Sequence, residues 1–159
     1  MDTGMKCYEI IEKLETLSPP SYAEEWDNIG LLVGRRDKEV RRIYIALDAT
    51  DDVIEDAIRV QADMLLTHHP MIFHKINRVN TDDFIGKRIC HLIRSDMVYY
   101  AMHTNFDVKG MGMLLYSRIF KVAWMPSSFG IITSMIKSWI SSAFKIRMAS
   151  SPSYALYTL

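Results

Sequence analysis

Four of the five histidines in this 159-residue chain fall at or just past the ends of two apolar runs. The first run, Leu65-Leu66-Thr67, stops in His68-His69-Pro70 and continues through Met71-Ile72-Phe73-His74. The second, Met97-Val98-Tyr99-Tyr100-Ala101-Met102, stops in His103-Thr104-Asn105-Phe106-Asp107. Neutral imidazole is the commonest protein metal ligand. A mixed imidazole and carboxylate set suits zinc, manganese, iron or nickel better than calcium or magnesium. Successive side chains of an extended segment point to opposite faces, so His68 and His69 are expected to serve two neighbouring ions rather than chelate one. The competing reading of an isolated His-His pair is a satisfied loop or core pair, and the second cluster shifts the balance toward metal.

Both runs have the length and composition of strands, and the sequence around them supplies what would hold them side by side. Tyr8, Ile10, Ile11, Leu14 and Leu17 recur at helical spacing until Pro19-Pro20. A turn-rich loop, Glu24 to Val33, leads into a short strand, with Trp26 read as a packed tryptophan and Asp27 as a turn former. Arg35 to Arg42 reads as an exposed charged turn. Ile43 to Leu47 is a run too apolar to have a face in water, hence a buried central strand. Helices follow over Val53 to Ile58, capped by Thr50 or Asp51, and over Phe84 to Ile93, with Thr81 as cap and Phe84, Ile85, Ile89, Leu92 and Ile93 buried. His91, on that second helix, reads as structural. The order β-α-β-α-β implies parallel strands joined by crossovers, an α/β fold with a parallel sheet and flanking helices, and open sheets of this kind place sites at the carboxyl ends of their strands.

Composition divides the chain in two. Residues 1–107 carry all 19 acidic residues and 13 of the 19 basic ones, whereas residues 108–159 hold six basic residues and no acidic one. The expected organisation is therefore an α/β metal-site domain over 1–112 and an atypical basic tail over 113–159. In that tail Ile131, Ile132, Met135, Ile136, Trp139, Ile140, Ala143 and Phe144 would form one face of an amphipathic helix. A formal net charge of zero argues against a protein built to hold nucleic acid. No apolar run approaches a membrane span and the N-terminus lacks a secretory core, so cytoplasm is the expected compartment. Cys7 and Cys90 have no disulfide or zinc-ribbon spacing.

The Trp26-Asp27-Asn28-Ile29-Gly30-Leu31-Leu32-Val33-Gly34 loop and the two histidine-bearing strand ends resemble, in order and spacing, the dinuclear-metal-centre hexameric family, whose members are often named GTP cyclohydrolase 1 type 2 homologues. The likeness covers roughly residues 5 to 112. It implies an α/β fold, a toroidal homohexamer and two metal ions in a cleft, with His68, His69 and Asp107 as metal ligands and His103 in the same site. In that family a histidine and a glutamate near the C-terminus complete the two-metal centre. Here nothing after Asp107 is His, Asp, Glu or Cys. A shift of reading frame near Gly112 would account for both the composition break and the missing ligands, and a divergent tail is the alternative.

The resulting expectation is a metal-binding protein with one divalent ion held reliably and a second weakly, built for metal-assisted hydrolysis of a nucleotide-like small molecule. His103 would act as the catalytic group, and the absent C-terminal ligands would impair activity. The alternatives are a non-enzymatic metal-binding or protein-interaction subunit of a homo-oligomer, and, from the 131–144 face alone, a membrane-surface protein.

Overall fold

The computed structural model describes residues 4–111, 147–151 and 154–158, with side chains as far as residue 109. In chain order the elements are β1 (Met5–Lys6), α1 (Cys7–Leu17), a short 3-10 turn (Pro20–Tyr22), β2 (Gly30–Val33), β3 (Glu39–Val40), β4 (Arg42–Ala46), α2 (Asp51–Arg59), β5 (Met64–Thr67), α3 (Phe84–Arg94) and β6 (Val98–Ala101). A wide π-type turn over Phe106–Met111 follows, then β7 (Arg147–Ser151) and β8 (Tyr154–Thr158).

Among the described residues the main sheet runs β2-β6-β5-β4-β8-β7, and β1 pairs with β3 in a separate two-stranded ribbon. Strands β4, β5 and β6 are parallel, with Ile45 beside Leu66 and Leu66 beside Tyr100. This is the expected β-α-β-α-β unit. Its edges differ from the expectation of a parallel sheet, because β2 joins β6 antiparallel and β8 joins β4 antiparallel. No strand was expected in the tail, yet the β7–β8 hairpin extends the sheet beyond β4. Backbone donors and acceptors along the open edge of β4 need partners whatever the side chains are, so the sequence pattern carries little warning of such pairing. The helix expected over 131–144 lies outside the described residues.

Strand alternation sorts the core into two layers. Ile43, Ile45, Met64, Leu66, Val98 and Tyr100 face α1 through Cys7, Ile10, Ile11 and Leu14. Tyr44, Ala46, Leu65, Tyr99 and Ala101 face α2 and α3 through Ile54, Ala57, Ile89 and Leu92. Successive crossovers of one hand, stepping from β4 to β5 to β6, put both connecting helices on a single face, and α1 covers the other. With both faces covered, β5 and β6 are buried at every position, as continuous apolar strands require.

The ends of the helices correct the sequence reading in detail. Thr50 caps α2, its side chain accepting from Val53 N–H at 3.3 Å. Asp83 rather than Thr81 caps α3, accepting from Gly86 N–H at 2.8 Å. Gly86, Ile89 and Leu92 form the buried stripe of α3, while Phe84 and Ile93 are 62% and 59% exposed instead of buried. At Gly86 the Asn80 carbonyl packs against the helix where a Cβ would collide with it, so the inward stripe runs through Gly86 instead of Phe84. Phe84 is left outside, covered in part by the Arg88 guanidinium 5.1 Å above its ring. The Arg35 to Arg42 stretch is likewise not wholly exposed, since Val40 is buried in β3 and Lys38 is nearly so.

Candidate metal centre

The carboxyl ends of β4, β5 and β6 lie side by side, so residues just past Ala46, Thr67 and Ala101 must gather at one edge of the sheet. His68 and His69 follow β5 directly, and the backbone bends at both residues. His103 lies two residues past β6. One nitrogen from each of these three imidazoles lies within 4.8 Å of the others. The ring centroids form a compact triangle, with His68 to His69 at 4.9 Å, His68 to His103 at 5.2 Å and His69 to His103 at 5.6 Å. Asp107, at the start of the π-type turn, places Oδ1 3.5 Å from His68 Nε2. His74 is exposed in the long loop against Phe73 and takes no part in the cluster, and His91 stays on α3.

This overturns the expectation that His68 and His69 diverge. The alternation argument holds only for extended backbone, and the chain leaves the extended region at His68. The geometric ground for assigning the two rings to separate ions disappears with it.

Two of the three rings are tied from behind by carboxylates. His69 Nδ1 lies 2.7 Å from Asp48 Oδ1, and His103 Nδ1 lies 3.0 Å from Asp27 Oδ1. An ionised carboxylate only accepts hydrogen bonds, so Nδ1 is the donor in each pair, and in a neutral ring this leaves the Nε2 lone pair to the cluster. Metal-ligating histidines characteristically have such a carboxylate partner, which fixes the tautomer and raises ligand basicity.

Asp27 is held hard. Its side chain is 0% exposed, and Oδ2 accepts from Thr104 N–H at 3.0 Å and Thr104 Oγ1 at 2.6 Å. Burial works against its ionisation, but the two Thr104 hydrogen bonds and the adjoining His103 outweigh it and hold the carboxyl below its ordinary value. Asn105 locks the same strand end from the other side: Oδ1 accepts from His103 N–H at 3.1 Å, and Nδ2 donates to Ser18 O at 2.8 Å.

His68 differs from the other two. It is buried, and its Nδ1 has no hydrogen-bond partner of ordinary geometry. Burial pushes its pKa down, more than the Asp107 carboxylate raises it, with the neighbouring His69 and His103 lowering it further. A neutral, buried imidazole facing a carboxylate and two further imidazoles fits a cation better than it fits solvent. The donor set also fits in size: ligand atoms about 2.1 Å from one tetrahedral ion lie roughly 3.4 Å apart, so small ring movements would close the triangle.

Sequence reasoning missed Asp48 and undervalued Asp27. Asp48 follows β4 just as His69 follows β5, so the rule that singled out the histidines, applied to a third adjacent strand, would have found it. Asp27 reaches His103 across 76 residues, and no local pattern reveals that. Trp26, expected to be packed, is 58% exposed, its ring 5.8 Å from Phe73 and 6.0 Å from His103.

The family description Duf34/NIF3 (NGG1p interacting factor 3) matches residues 5–118. The chain belongs to this family. It is 43% identical over 107 residues to a GTP cyclohydrolase 1 type 2 homolog of Clostridium perfringens, covering 67% of this chain and 41% of that one. A Bacillus cereus protein related to NIF3 is 41% identical, with a TM-score of 0.62 over 65% of this chain and 28% of its own. A hypothetical protein of Staphylococcus aureus is 37% identical, with a TM-score of 0.66 over 72% and 38%. The chain thus spans well under half the length of each of these relatives. No helix among the described residues is long and apolar enough to cross a membrane.

Proposed function

We propose that this chain holds a divalent transition metal ion through His68, His69 and His103, with Asp107 beside His68 as a further oxygen donor, and that the site serves metal-assisted hydrolysis of a small nucleotide-like substrate. The observation that carries the reading is the convergence of three imidazoles at the ends of adjacent strands, two of them backed by carboxylates. Zinc, manganese, iron and nickel all accept this donor set. When bound, such an ion lowers the pKa of coordinated water and polarises an ester or amide oxygen.

The chain's own residues have separable tasks. Asp48 and Asp27 keep the Nε2 atoms of His69 and His103 free of protons and aimed at the cluster. Asp107, 37% exposed beside His68, adds a carboxylate oxygen that solvent can reach. Asn105 and Thr104 hold the turn that carries His103. Assembly as a homohexamer and a cytoplasmic setting complete the proposal by family analogy.

Metal analysis of the dialysed protein tests it. About one ion or fewer per chain is expected, falling at least a hundredfold in occupancy-derived affinity in His68→Ala, His103→Ala protein. Metal content unchanged in that double variant would sink the proposal. Metal retained without turnover of GTP or related nucleotides would favour instead a non-enzymatic metal-binding subunit.

A further inference from the structure

Tyr99 lies in the middle of β6, on the face toward α2 and α3, and is fully buried. Its hydroxyl stands at the centre of a closed network just behind the histidine cluster. It lies 2.9 Å from Thr67 Oγ1 and 3.1 Å from the His69 carbonyl oxygen, and it accepts from Met71 N–H at 2.8 Å. Thr67 Oγ1 also reaches the His69 carbonyl, at 2.8 Å. The two hydroxyl protons match the two available targets: one hydroxyl donates to the carbonyl and the other donates to that hydroxyl's oxygen. Every member is satisfied, as a buried polar network requires.

The network spans the turn that carries His69 away from β5. Pro70 has no N–H, so the turn from His69 to Met71 is held by the His69 carbonyl and the Met71 N–H; Tyr99 accepts from the latter and, with Thr67, closes on the former. The His69 N–H goes to Leu47 O at 2.9 Å, and the His69 ring goes to Asp48. The segment just past β4, the end of β5 and the middle of β6 therefore each contribute a fixing contact to this single residue.

We propose that Tyr99 is a positioning residue for His69: its buried hydroxyl fixes the His69-Pro70-Met71 turn so that the imidazole keeps Nδ1 on Asp48 and Nε2 toward His68 and His103. The proposal rests on the reading of His69 as a metal ligand. Removing the hydroxyl leaves the Met71 N–H without an acceptor and Thr67 without its neighbour, and the turn is free to rotate the ring.

The test compares Tyr99→Phe with Tyr100→Phe. Tyr100 is the next residue on the same strand, equally buried but on the α1 face, and its hydroxyl makes none of these contacts. Cobalt(II) serves as the probe, read by chelator competition and by its visible ligand-field bands. Tyr99→Phe is expected to weaken binding about tenfold and to shift the bands. Thr67→Val should act in the same direction, and Tyr100→Phe should stay within about twofold of wild type even if its melting temperature falls. Wild-type affinity and bands in both Tyr99→Phe and Thr67→Val would overturn the proposal, as would equal weakening by Tyr100→Phe.

A wild-type chain that takes up no cobalt would defeat the metal reading by itself. Positioning would then be decided in the metal-free protein by long-range proton–nitrogen spectra of the His69 ring. These should show Nδ1 protonated in wild type and Tyr100→Phe, and a mixture of tautomers in Tyr99→Phe. Identical His69 signals in all three proteins would overturn it.

Discussion

The two ends of the same three parallel strands are built on opposite plans. At the amino ends, Lys38 lies 2.8 Å from Asp96 and 3.8 Å from Asp63, and Arg35 reaches Asp96 at 3.2 Å. Asp63 also accepts from the backbone N–H groups of Arg41 and Arg42 at 2.8 and 3.0 Å. Each of these charges faces an opposite charge or a donor, and the cluster is closed. At the carboxyl ends, Asp48 and Asp27 each turn one oxygen to the far nitrogen of a histidine, so in a neutral ring each pairing leaves a lone pair facing a shared centre. Pairing a carboxylate with a fixed cation completes it, whereas pairing it with imidazole passes its basicity to the ring's other side.

That contrast breaks first at Asp27. An Asp27→Asn variant keeps the size of the side chain but removes the charge that holds His103 in one tautomer. Metal affinity should fall about 10- to 100-fold by chelator competition. The equivalent Asp48→Asn change should cost less, because Asp48 is 46% exposed and water can replace part of its role. Unchanged affinity in Asp27→Asn would mean that the carboxyl end is as closed as the amino end.

The amino end should answer the opposite way. Lys38 is 11% exposed at its side chain and links Asp63 to Asp96. Lys38→Met should therefore lower the unfolding free energy of the metal-free protein in urea by about 1 to 2 kcal/mol and leave metal affinity within about twofold. A large metal effect from this variant would show that the two ends communicate, and the division of labour would fail.

The smallest expected effect is that of acid on the same network. Hydrogen bonds from Arg35 and Lys38 hold the Asp96 carboxyl at about 2 instead of 3.8. A group with a depressed folded pKa contributes stability above its unfolded value and loses it as pH falls through the folded one. The contribution of Asp96 should thus be complete above about pH 4 and fade toward about pH 2. Urea midpoints measured over that window should fall less steeply in Asp96→Asn than in wild type, and parallel curves would remove Asp96 from the network. Because its side chain is 58% exposed, solvent screening keeps the difference small.

What could be read from the sequence was local. The β-α-β-α-β unit was legible because β5 and β6 are unbroken apolar runs and α2 begins at a threonine followed by two aspartates, signals that act within a few residues. The meeting of His68 with His103 followed from adjacency of parallel strands. What escaped was long-range or depended on a departure from regular geometry. The bend at His68 reversed the expected divergence of the pair. The buried stripe of α3 runs through Gly86, Ile89 and Leu92 and leaves Phe84 and Ile93 exposed, and the bond from Asp27 to His103 joins segments that no spacing rule connects. The antiparallel edges of the sheet are backbone pairings, to which side-chain periodicity is nearly blind.

The tie between Asp27 and His103 also has a meaning in time. It closes a loop of 76 residues, whose ends must be brought together at an entropic cost before the contact can form. His68 and His69, which are neighbours in sequence, can meet an ion in a partly folded chain. His103 acquires its fixed tautomer only after the Glu24 to Asn28 loop has docked over the sheet, through Asp27 and through the Asn28 Nδ2 contact with Ile72 O at 2.6 Å. An ion captured early would therefore sit on two imidazoles and exchange quickly. On the proposed metal reading, slow release would report that this loop has docked, so metal residence time would read the closure of one edge of the site.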